Sequence, residues 1–71
     1  TIAMTVIKRQ FIVYLGKTDA ISIAATVETI RHCMREDKEN FGLYCLQENV
    51  ALAIGRLRFG RDFDELIKKH N

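Results

Sequence analysis

No proline interrupts this chain of 71 residues, and glycine occurs only four times. A sandwich or barrel of many strands must turn every few residues and draws on Gly, Pro, Asn and Asp clusters to do so. A chain this poor in turn residues is steered toward a few long elements instead. Its length sets one domain as the ceiling. With 48% apolar and 28% charged residues it has the balance of an ordinary globular sequence, neither disordered nor membrane-spanning.

The strongest periodic signal follows Thr18 and Asp19, which supply an N-cap and a first-turn acid. From there Ala20, Ile23, Val27, Ile30 and Met34 recur at steps of three and four, predicting an amphipathic helix that runs to Glu36. The charged run Arg35 to Asn40 reads as a helix end and an exposed loop. Asn40 is placed to cap a third helix whose apolar stripe is Leu43, Leu46, Val50, Ile54 and Leu57, with Ala51 and Ala53 beside it allowing close approach of a neighbour. Gly60 is the natural stop for that helix. Asp62 and Glu65 then form a capping-box pattern ahead of Phe63, Leu66 and Ile67, in a short last helix ending near His70.

The first segment reads two ways. Ala3, Met4, Ile7, Phe11, Tyr14 and Leu15 fall in a stripe about 120° wide on a helical wheel. The same stretch is rich in β-branched and aromatic residues, and a strand over 2–15 would place Ala3, Ile7, Phe11, Val13 and Leu15 on one face. The helix gives the cleaner pattern. The leading fold is therefore all-α, a compact domain of three or four helices over 1–71, completed by homodimerisation. The alternative is an α+β arrangement in which strand 2–15 forms a sheet shared between two copies.

Little in the chain is equipped for covalent chemistry. The candidates are His32, Cys33, Cys45 and His70. Adjacent helical positions point about 100° apart, so His32 and Cys33 do not converge on one ion, and no Cys-x-x-Cys or His-x-x-x-His spacing occurs. No glycine-rich phosphate loop is present. The expectation is a protein without catalysis, cofactor or metal. Two cysteines make no secreted disulfide framework, and no apolar run reaches the roughly 18 residues of a membrane helix. The chain reads as soluble, cytoplasmic and free of membrane partners.

Charge is distributed unevenly along the sequence. Lys8, Arg9 and Lys17 stand in a first segment without acids, the middle is acidic, and Arg56, Arg58 and Arg61 surround Phe59 near the end. Such a cluster suits phosphate contact, while Arg and aromatic residues also mark protein contacts. Gln47, Val50, Ala51, Ile54 and Gly55 resemble the first half of a helix-turn-helix, which implies DNA binding by a second helix. In the second half, Arg61 stands where that motif places an apolar residue. The run Phe59 to Phe63 followed by Leu66 is similar to the first turn of Myb/SANT-type repeats, although the chain has no tryptophan.

Asp62, Asp64 and Glu65 crowd the start of the last helix, the end by which a recognition helix meets phosphate. The favoured reading is thus a small non-catalytic regulator that self-associates and binds a macromolecular partner, in the first place a protein. Its partner or phosphate contacts are Arg56, Arg58, Phe59, Arg61, Lys8 and Arg9. Its self-association residues are Ile2, Val6, Ile7, Phe11, Val13 and Tyr14. The alternative is a dimeric, helix-turn-helix-like DNA-binding transcriptional regulator using the Arg56–Arg61 patch.

Overall fold

A computed structural model describes residues 8–69. Among them are four α-helices, one 3-10 turn and no strand. Helix α1 spans Arg9–Lys17, α2 Ala20–Glu36, α3 Phe41–Phe59 and α4 Arg61–Lys69, with the 3-10 turn at Lys38–Asn40. The all-α expectation holds. The strand alternative fails over the described part of 2–15, because residues 9–15 lie in α1.

Local chemistry explains the boundaries. Helix α2 is capped by Asp19, one residue later than Thr18; its Oδ1 accepts the Ser22 backbone N–H at 2.7 Å. That bond holds the Asp19 carboxyl below its ordinary value of 3.8. Asp37 breaks α2 from α3 and organises the reversal. Its Oδ2 accepts from Asn40 Nδ2 at 2.9 Å and from the Tyr44 hydroxyl at 3.1 Å. Asn40 does occupy the N-cap position of α3, but its side chain serves Asp37 and caps no backbone group.

The reversal has a pH window with two opposite edges. Asn40 holds the Asp37 carboxyl down, so its contribution is complete above the ordinary 3.8 and is lost as pH falls below it. Asp37 pushes the Tyr44 hydroxyl up, so that contribution is complete below 10.0 and is lost as pH rises beyond it.

At the other end of α3, Gly60 adopts φ +59° and turns the chain directly into α4. Helix α4 starts at Arg61, so Asp62 sits inside its first turn and the expected capping box with Asp62 as cap is not formed. Asp62 and Asp64 still lie at the positive end of the helix dipole, with Lys68 and Lys69 at the negative end.

Helices α2 and α3 pack side by side, α4 lies against both, and α1 rests on α3. Leu15, Ile23, Ala24, Val27, Ile30, Ala51, Phe63 and Ile67 form the core, with Phe63, Leu15, Ile23 and Val27 its largest fully buried side chains. Helix α3 contributes only Ala51 and Gly55 as fully buried residues. A Cβ at Gly55 would run into the ring of Phe63, so the aromatic ring occupies the space that a side chain would take. The short, strongly amphipathic α4 is thereby seated on the middle of the molecule.

Only part of the predicted stripe of α3 meets the core: Val50 and Ile54 pack against it, beside the fully buried Ala51. Leu57 is 86% exposed and Leu46 42% exposed. At 100° per residue the stripe points roughly 100° round the helix from Ala51. Leu43, Val50 and Ile54 on its inner edge are half-buried, and Ala53 beside it is exposed. The reason is steric: α2 and α4 need a smooth surface for close packing, and Ala51 and Gly55 supply it where leucines do not. The Cα framework measures 32 × 25 × 14 Å. A 14 Å thickness is close to that of two helices in contact, given Cα cylinders about 4.6 Å wide and axes about 8–10 Å apart.

Gly55→Ala separates helix propensity from packing. An alanine normally gains up to about 1 kcal/mol over glycine inside a helix. At Gly55 the sign inverts, because the added methyl collides with Phe63. Gly42→Ala in the same helix meets nothing within 4 Å and should stabilise. Phe63→Ala should cost about 3–5 kcal/mol. Urea unfolding followed by circular dichroism measures all three.

Candidate functional site

The arginine cluster spans the junction of α3 and α4, and its members have different occupations. Arg56 Nε donates to Asp64 Oδ1 at 2.9 Å, an exposed pair tying α3 to α4. Arg58 reaches back to α1: one of its terminal nitrogens donates to the carbonyls of Leu15 and Thr18, each at 2.6 Å. Those carbonyls lie at the C-terminal end of α1, where the helix leaves acceptors unmet and carries partial negative charge. The Arg58 guanidinium also sits 4.6 Å from the centroid of the neighbouring Phe59 ring. Phe59 itself packs against the core.

Arg61 is exposed at the first position of α4, as are Lys68 and Lys69 near its end. Lys8 and Arg9 are exposed at the opposite end of α1 from the Arg58 contacts. Nine residues separate the two ends by about 13 Å at the helical rise. Lys8 and Arg9 therefore lie a helix length from the α1 carbonyls that Arg58 holds. Arg56 and Arg58 serve internal contacts, Phe59 is half-buried against the core, and Arg61, Lys8 and Arg9 are exposed.

Of the predicted self-association residues, Ile2, Val6 and Ile7 lie outside the described residues. Phe11 is half-buried against the core. Val13 and Tyr14 are 44% and 43% exposed, and Ile12 beside them is 39% exposed. The Tyr14 hydroxyl lies 3.3 Å from Thr26 Oγ1 on α2. Because Thr26 donates its own proton to the Ser22 carbonyl, Tyr14 is the donor in that pair.

Two features escape the sequence reading. Arg31 Nε bonds Glu48 Oε2 at 2.6 Å across the α2–α3 seam, with Glu28 at 3.7 Å on the other side. Opposite charges on facing helices were the only signal, and nothing in a linear sequence pairs positions 17 apart. The second is an open cavity of about 620 Å³ lined by Arg31, Met34, Arg35, Lys38 and Phe41. Cys33 and Cys45 are free thiols, both half-buried, and His32 is exposed. Among the described residues no three His, Cys, Asp or Glu side chains gather as metal ligands would.

Helix α3 runs unbroken through Gly55, so the turn that the helix-turn-helix resemblance requires at that position is absent. The actual turn lies at Gly60, ahead of Phe63 and Leu66. No described helix is long and apolar enough to cross a membrane. Compared with protein-family models, curated proteins and solved structures, the chain finds no match.

Arg58→Met should lower stability by about 1 kcal/mol, since two charge-assisted bonds at a partly exposed site are lost. Arg61→Met, which gives up no internal contact of that kind, should stay within about 0.5 kcal/mol of the parent. Parallel urea melts distinguish the two. Equal effects would show that Arg58 does not staple α1.

Proposed function

We propose that the protein is a small non-catalytic regulator that pairs with a second copy through the outer face of α3 and binds a partner protein. The exposure of Leu57 and Leu46 on the longest helix carries this reading. Large apolar side chains aligned on one face, with the core served by smaller residues, suit association.

The face is compatible with two-fold symmetry. Two α3 helices crossing antiparallel over the Ala51–Leu52 midpoint bring Leu46 opposite the partner subunit's Leu57, and the reverse, which is the reciprocity of an isologous contact. Ala53 lies between them and is small enough for close approach. Antiparallel helices also oppose their dipoles favourably. Ile12 and Val13 on α1 add apolar surface for the partner protein. Two free thiols, at Cys33 and Cys45, support placing this regulator in a reducing cytoplasm.

Commitment of Arg56 to Asp64 and of Arg58 to α1 favours protein over phosphate as the partner. The double variant Leu46→Lys with Leu57→Lys should keep its helical circular dichroism and sediment as a monomer, where the parent sediments as a dimer. A parent that is monomeric at every concentration overturns the pairing. Binding of random-sequence duplex DNA that weakens steeply between about 50 and 200 mM salt would favour the DNA-binding regulator instead.

A further inference from the structure

We propose that the cavity between the end of α2 and the start of α3 is a binding site for a small amphipathic anion, a carboxylate carried on an apolar chain or ring. The cavity measures about 620 Å³, within the roughly 300–1,000 Å³ of small-molecule sites. Met34 and Phe41 form its apolar floor, and Phe41, the first residue of α3, is 51% exposed there. Three cations, Arg31, Arg35 and Lys38, complete the lining, and no acid does.

Glu36 and Glu39, exposed on the same segment, do not line the cavity, and the other nearby acids have partners of their own. Glu28 and Glu48 face Arg31, and Asp37 holds Asn40 and Tyr44. Arg35 and Lys38 enter no ion pair among the described residues, so their charge is available to an incoming carboxylate. The Asp37 hydrogen bonds fix the reversal on which Lys38 and Phe41 stand, so the site is formed before a ligand arrives. One apolar floor with cations on its margin matches a ligand that is apolar at one end and anionic at the other. A regulator with such a site would read the level of an organic acid, which goes beyond the pairing and partner binding proposed above.

The test uses isotope-labelled protein titrated with decanoate, octanoate and decyltrimethylammonium, each below its micelle concentration. Decanoate should move the amide signals of Met34, Lys38 and Phe41. Octanoate should bind roughly fifteenfold more weakly, since each buried methylene is worth about fourfold. The cationic amphiphile should leave those signals in place. Arg35→Gln combined with Lys38→Gln alters two exposed residues and should weaken decanoate at least tenfold with helicity intact. The Leu46→Lys, Leu57→Lys variant should bind decanoate as the parent does. Shifts confined to the outer face of α3, equal binding of the cationic amphiphile, or undiminished binding by the double Gln variant would each overturn the site.

Discussion

The contact between Phe63 and Gly55 is the constraint on which this small fold depends. Helix α4 is only nine residues long and would be marginal in isolation. Its attachment comes from inserting a fully buried ring where α3 has no side chain. Gly60 makes that geometry reachable, because its positive φ folds α4 back within a single residue of the end of α3. With α4 in place, Ile23 and Val27 of α2, Ala51 of α3 and Ile67 of α4 share one buried core with Phe63.

This solution has a consequence for the surface. A helix that gives its inner face to Ala51 and Gly55 must carry its larger apolar residues elsewhere. In α3 they run along an edge that the described residues cover only in part. The thin, two-helix depth of the molecule leaves such edges open. Helix α1 covers one of them and is fastened at its C-terminal end by Arg58, which spends on two carbonyls a charge that would otherwise face solvent. The exposed Leu46 and Leu57 are thus a product of how the core is built.

Much of this was legible in the sequence, and the failures have physical causes. The stripe Ala20, Ile23, Val27, Ile30, Met34 identified α2 and its buried face, because large apolar residues there do meet the core. Gly60 marked the end of α3 because one conformation is needed there and glycine adopts it. The same hydrophobic logic that succeeded for α2 was right for α3 only in part: Val50 and Ile54 pack against the core, while Leu46 and Leu57 do not. Periodicity weights Leu and Ile above Ala and Gly, whereas close helix contact favours the small residues. The Thr18 cap missed by a residue, since the neighbouring Asp19 can satisfy the same N–H groups, and the Asp62 cap missed by two, since Gly60 turns the chain into α4 earlier. The arginine cluster looked like a surface patch because Leu15 and Thr18, which hold Arg58, lie about forty positions away in the chain. The charged loop at Arg35–Asn40 gave no hint that two of its cations border an apolar cavity.

The central claim is that the outer edge of α3 meets its own copy. Isotope-filtered NOE spectroscopy on an equal mixture of labelled and unlabelled protein addresses it directly. The account predicts intermolecular NOEs between the methyl groups of Leu46 and those of the partner subunit's Leu57, at concentrations where the pair is populated. Their absence in a sample shown by mass to be dimeric would contradict the proposed interface.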